Sequence, residues 1–154
     1  MYSVLDIAIY FLNRSIDEKK YLTPIQVMKL CYFAHGYKLA IDNQPLVDEV
    51  VQAWKYGPVF KDLYQVLKIY GNRRITKLPD VLSYGEEIDA DDSEILDAVY
   101  ESLSDMDGMD ISDLTHEEGT PWSVVWESEG KNSRYALIEN SLIKSYFEKV
   151  LGES

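Results

Sequence analysis

Thr23-Pro24-Ile25-Gln26-Val27-Met28-Lys29-Leu30-Cys31-Tyr32-Phe33-Ala34-His35-Gly36-Tyr37-Lys38-Leu39-Ala40 decides the fold class. Thr23 supplies a helix N-cap, Pro24 stands at the first helical position and Gln26 at the third, the elements of a capping box. Ile25, Met28, Tyr32, His35 and Leu39 then recur at spacings of three and four, the period of one helix face. Cys31 and Ala34 flank that stripe, while Lys29 and Lys38 fall off it. The helix is expected to fail near Ala40, before the turn signal Asp42-Asn43-Gln44-Pro45.

Working outward, Ser3 to Asn13 reads as an apolar helix capped by Ser3, with Asp6 three residues on. Val47 to Trp54 is ambiguous, with Val50, Val51 and Trp54 suiting a short strand. Gly57-Pro58 reads as the start of a third helix with Pro58 at N1, a stripe of Val59, Leu63, Val66, Leu67 and Tyr70, and Gly71 as its stop. Asn72 to Glu87 is irregular or short-strand material, since Pro79 excludes a central strand. Asp92 or Ser93 is expected to cap a fourth helix with Ile95 or Leu96, Val99, Leu103 and Met106 inward, broken by Asp105 to Gly108. Short helices follow over Asp110–His116 and from Thr120-Pro121, the latter with Trp122, Val125 and Trp126 on one face. A loop over Gly130–Ser133 and a short strand over Tyr135–Ile138 precede a last helix. Asn140 or Ser141 caps it, and Ile143, Tyr146, Phe147, Val150 and Leu151 are its buried residues. No repeat, low-complexity tract or linker divides the chain. The expectation is a mainly α, single helical domain over residues 1–154, with about five to seven helices and a minor β element.

Composition narrows the function classes. The 154 residues are 46% hydrophobic and 12% aromatic, enough for a packed core and against wholesale disorder. Cys31 is the single cysteine, which excludes a disulfide framework and favours a reducing, cytoplasmic compartment. No apolar run is long enough to span a membrane. The net charge of −12 is concentrated. Leu78 to Gly130 holds 17 acids and neither Lys nor Arg, leaving 10 acids and all 15 bases, a net of +5, for the rest. Such a body is repelled by nucleic acid and anionic lipid, and a matched basic partner is favoured. Glu86, Glu87, Asp89, Asp91, Asp92, Asp105, Asp107 and Asp110 are the candidate steering acids; a merely solvated face is the plainer reading.

Chemistry is sparse. No glycine loop suits phosphate, and one Cys excludes a thiolate zinc site. Asp105-Met106-Asp107-Gly108-Met109-Asp110 fails as a calcium loop, because position 5 is Met109 and glycine falls at position 4. His35, on the apolar stripe, reads as a core-edge histidine with one satisfied ring nitrogen. Asp113, His116, Glu117 and Glu118 could form an acid–base cluster, but no cleft or partner marks them as one. Mid-helix among apolar neighbours, Cys31 lacks the setting of a nucleophile. No catalytic residue, cofactor or metal is expected. Trp54, Tyr56, Phe60, Tyr64, Trp122 and Trp126 serve equally as core or as interface anchors.

The ordered set Ile25–Tyr37, Pro45-Leu46, Ala53-Trp54-Lys55-Tyr56-Gly57-Pro58-Val59, Tyr64, Leu114-Thr115-His116, Pro121-Trp122 and Ile143–Phe147 resembles the Panacea antitoxin domain. This family is also called SocA-like or phage-associated GepA, and the resemblance runs from about Tyr21 to Phe147. Two departures stand out: Phe33-Ala34-His35-Gly36-Tyr37 where the family usually reads Tyr-Ala-Gln-Gly-Trp, and one extra residue between His116 and Pro121. The resemblance implies a non-catalytic antitoxin that neutralises a cognate toxin, encoded by the adjacent gene, through direct protein contact. One branch is described as a proteolytic adaptor for the ClpXP protease. The family-signature residues are Trp54, Tyr56, Gly57, Pro58, Tyr64, Thr115, His116, Pro121 and Trp122. They either fix the fold around the Tyr56-Gly57-Pro58 turn or line the toxin-contacting surface. A homodimer is compatible with the sequence. The rival readings are an acidic phage protein mimicking nucleic acid against a host DNA-binding factor, and a hydrolase built on His116 with Asp113 or Glu117.

Overall fold

A computed structural model describes residues 1–82, 84–129, 132–133 and 136–152. Seven α-helices and a three-stranded antiparallel sheet are found among them. The mainly α expectation holds. The expected loop at Gly130–Ser133 and strand from Tyr135 lie partly outside the described residues, as do Glu153 and Ser154.

Helix α1 (Val4–Asp17) begins as its capping residues dictate. The Ser3 hydroxyl accepts from the Leu5 N–H at 3.1 Å, and the Asp6 carboxylate accepts from the Ser3 N–H at 3.0 Å. It runs a turn past Asn13, because Ser15 is buried with its hydroxyl on the Leu12 carbonyl at 3.0 Å.

Helix α2 (Pro24–Asp42) starts with Gln26 Oε1 accepting from the Thr23 N–H at 2.8 Å and runs to Asp42, two residues beyond Ala40, where left-handed Asn43 caps it. It touches α1 and the later helices over Lys61–Leu67, Ala90–Leu103, Gly108–His116 and Asn140–Gly152, so it is the central helix. That position overturns the single-stripe reading. Val27, Lys29, Leu30, Phe33 and Gly36 are buried beside Tyr32, His35 and Leu39, while Ile25 and Met28 of the expected stripe are only half-buried. At Gly36 the C-terminal helix packs so tightly on α2 that an added Cβ would overlap the Phe147 ring.

Strands β1 (Val51–Trp54) and β2 (Gly57–Val59) form a hairpin pairing Gln52 with Val59, Ala53 with Pro58 and Trp54 with Gly57. Pro58 therefore does not open a helix. It lies in an edge strand, where its missing N–H costs no ladder bond. Phe60 stands at the N-cap of α3 (Lys61–Leu67), which tightens into a 3₁₀ turn over Lys68–Tyr70 and stops at Gly71 as expected. The stretch Asn72–Glu87 carries a bridge from Ile75 to Leu22 and a 3₁₀ turn at Asp80–Leu82.

Helix α4 (Ala90–Leu103) starts earlier than expected, since Asp89 rather than Asp92 is its cap; the Asp89 carboxylate accepts from the Asp92 N–H at 2.9 Å. Asp107 caps α5 (Gly108–His116), and Thr120 caps α6 (Pro121–Ser128). Strand β3 (Leu137–Ile138) pairs with β1, placing β1 at the centre of the sheet. In α7 (Asn140–Gly152), Asn140 is already helical. Only Ile143 and Phe147 are fully buried; Tyr146 and Val150 are half-buried and Leu151 is exposed. A helix lying on the outside of α2 needs only a narrow inner stripe.

Candidate functional site

The hairpin, α5 and α6 bring the widely separated signature residues into one corner. Trp122 Nε1 donates to the Trp54 carbonyl at 2.6 Å, tying α6 to β1 across 68 residues of chain. The Trp54 ring meets Tyr64 edge-on at 4.9 Å, and its Nε1 donates to Gln52 Oε1 at 2.9 Å. Trp122 is sandwiched: its ring stacks on Trp126 at 5.5 Å and receives the edge of His116 at 5.6 Å.

His116 Nδ1 lies 2.7 Å from the Ser112 carbonyl. A carbonyl only accepts, so Nδ1 carries the proton and Nε2 faces Asp113, 3.7 Å away on the same exposed helix face. Thr115 and Pro121 are buried; the Thr115 hydroxyl donates to the same Ser112 carbonyl at 2.7 Å. Of the nine signature residues, Tyr56 alone is prominently exposed, at 74%.

Gly57 has φ +133°, a conformation L side chains rarely adopt. An added Cβ would lie 2.7 Å from Lys29 Nζ and 3.4 Å from Thr115 Oγ1, so the glycine also makes room for a buried lysine. Sequence reasoning missed that lysine. The signal was present: Ile25, Val27, Met28, Leu30 and Cys31 surround Lys29 on every side of the helix and leave it no polar face. Lys29 is 2% exposed and its Nζ donates to the Pro58 carbonyl at 3.1 Å. Burial alone pulls its ammonium down to about 8.

Beside the corner runs a groove of about 510 Å³ with Ile25, Met28, Val59, Trp54, Tyr56 and Tyr64 in its walls. Lys29, Lys55 and Lys68 also line it, and no carboxylate does among the described residues.

The acidic candidates separate into different roles. Glu86, Glu87, Asp91 and Asp110 are exposed side chains. Asp89 and Asp107 are helix caps, and Asp105 pairs with Lys20 at 2.8 Å. Asp92 does not lie on the acidic surface at all. It is buried, accepting from Lys38 Nζ at 2.6 Å and from the Tyr2 hydroxyl at 3.0 Å, because Lys38 reaches it from the central helix.

His35 is fully buried, with Nε2 2.9 Å from Asn140 Oδ1, and burial lowers its proton affinity. The Cys31 thiol is pushed up by burial, which keeps it a thiol. Among the described residues no three His, Cys, Asp or Glu side chains are grouped to hold a metal ion, and no helix is long and apolar enough to cross a membrane.

Comparison with known proteins matches residues 27–123 to the family described as "Antitoxin SocA-like, Panacea domain". The protein Antitoxin SocA of Caulobacter vibrioides (strain NA1000 / CB15N) is 32% identical over 137 residues, covering 82% of this chain and 72% of that protein. No solved structure matches. The matched segment contains the hairpin, the groove lysines and both partners of the Trp122–Trp54 hydrogen bond, and on that span the chain belongs to the SocA-like, Panacea-domain antitoxin family.

Proposed function

We propose that this protein is an antitoxin that neutralises a cognate toxin by binding it directly and occluding its working surface. Family membership supports the antitoxin role, and the observation that carries direct binding is the aromatic corner. That corner is rigidly tied through the Trp122–Trp54 hydrogen bond, yet presents Tyr56 to solvent beside an open groove. Rigid aromatic anchors lose little entropy on contact and dominate interface energies. The reaction asked of the molecule is association, and the signature residues serve it in two ways. Thr115, His116, Pro121 and Trp122 buttress the hairpin; Trp54, Tyr56 and Tyr64 face the partner.

The exposed carboxylates Glu86, Glu87, Asp91 and Asp110 speed the encounter with a basic toxin surface. Neutralising these four slows association at low salt and leaves the high-salt rate unchanged; equal rates at low salt remove that role.

The decisive experiment expresses the product of the adjacent open reading frame alone and together with this protein. Toxicity alone, relief on co-expression and co-purification of the two chains are expected. Toxicity unaffected by co-expression overturns the reading. Measuring the toxin's half-life in cells with and without ClpXP separates occlusion, which leaves it unchanged, from delivery to the protease, which shortens it only when ClpXP is present.

A further inference from the structure

Lys29 is an anomaly within the corner. An ammonium has three protons to donate, and the Pro58 carbonyl takes one of them at 3.1 Å. No Asp or Glu pairs with it among the described residues, although Lys38, on the same helix, has two such partners. The missing Cβ of Gly57 is what lets Nζ sit against the hairpin at the edge of the groove that Lys29 lines. Lys29 lies at the groove, whose other cationic side chains are Lys55 and Lys68, so a molecule of net charge −12 carries a local groove of the opposite sign. Tyr56, 74% exposed with Lys55 Nζ 5.5 Å from its ring, stands at the same groove.

We propose that this groove receives an apolar segment of the toxin carrying one Asp or Glu side chain, whose carboxylate accepts a hydrogen bond from Lys29 Nζ.

Charge complementarity and wall chemistry together select this occupant. A single buried ammonium between aromatic and aliphatic walls matches a single carboxylate on an apolar segment. A polyphosphate or nucleic acid would meet the repulsion of the whole acidic body and would leave the apolar walls unmatched. A chain-terminal carboxylate is best captured by a nest of backbone N–H groups. The start of α2 at this groove offers no such nest, because Pro24 has no N–H and the Thr23–Gln26 capping box takes the N–H groups of Thr23 and Gln26, leaving that of Ile25. Burial also makes the pairing discriminating. An acidic segment gives the ammonium the counter-charge the fold withholds, whereas a neutral one leaves a desolvated charge unpaired.

This inference takes its partner from the antitoxin reading, and the test separates the two. The first arm pans a random ten-residue peptide library on the whole protein and needs no toxin. Selected peptides are expected to share one Asp or Glu between apolar residues. Lys29→Met is expected to weaken them at least tenfold and Tyr56→Ala several-fold, and changing the shared acid to its amide should cost tenfold in the wild type but little in Lys29→Met. The thermal midpoint of Lys29→Met confirms that it folds. Peptides without an acid, a free C-terminus as the shared feature, affinity indifferent to Lys29→Met, or no enrichment at all would each overturn the proposal. The second arm is co-expression: wild type relieves toxicity and folded Lys29→Met does not. Relief by both variants overturns the groove assignment alone, while relief by neither defeats the antitoxin reading and leaves the peptide arm to judge the groove.

Discussion

Lys29 and Lys38 sit on one helix, nine residues apart, and the fold treats them in opposite ways. At 3.6 residues per turn that spacing places them about 180° apart around α2. Lys38 faces α4 and finds the carboxylates of Asp92 at 2.6 Å and Asp42 at 2.8 Å. Burial alone would lower its proton affinity, but the hydrogen bonds and charges of Asp42 and Asp92 outweigh burial and hold it above the usual lysine range. Lys29 faces the hairpin and finds one backbone carbonyl, so burial dominates and its value falls to about 8. Lys38 holds the fold together, whereas Lys29 is held at a cost to it. Groups kept at a cost to stability are enriched at functional sites.

The largest effect should come from the Lys38 side. Asp92→Ala removes the acceptor for both Lys38 and the Tyr2 hydroxyl in a buried setting, and is expected to destabilise the fold by about 3 kcal/mol in urea unfolding. A loss under about 1 kcal/mol would mean that Asp42 suffices and that the two lysines differ less than their geometry implies.

Lys29→Met should have the opposite sign. Removing the desolvated charge restores about 3 kcal/mol, and leaving the Pro58 carbonyl without its donor costs about 1–2 kcal/mol. The thermal midpoint should therefore rise by a few degrees. A falling midpoint would make Lys29 a structural residue. The pH dependence sharpens this comparison. The folded value is lowered, so between about pH 8 and the usual lysine value of 10.5 the unfolded chain binds more protons and wild-type stability gains with rising pH. The advantage of Lys29→Met should accordingly shrink across that window; an advantage constant from pH 7 to 10 would show that the charge at Lys29 was never the cause. The smallest effect belongs to Asp42→Asn, which breaks a partly exposed i, i+4 pair and should cost about 0.3 kcal/mol, or less at high salt.

Local chemistry was legible wherever a backbone group finds its partner within a few residues. The Ser3 and Thr23-Pro24-Ile25-Gln26 caps, Gly71 as a stop and Thr120-Pro121 as a start all behave as their sequences require. Pro58 was misread because Pro suits both the first helical turn and an edge strand, and the choice was made by pairing with Ala53. Asp92 was misplaced on the acidic surface because its partner lies 54 residues away. The groove was invisible for the same reason: Lys29 meets Pro58, Trp54 and Tyr64 only after the hairpin folds back on α2.

A mainly helical chain, the places where most of its helices begin and end, its family and its lopsided charge all follow from spacing, capping and composition within a few turns of chain. Which charges are used, and how, is set by long-range packing. An acid on α4 stays a solvated surface charge like Asp91 or becomes a buried counter-ion like Asp92 according to what packs against it. A lysine is neutralised or left wanting by the same rule, because the energy of a charge depends on its partners and its distance from water, and folding sets both.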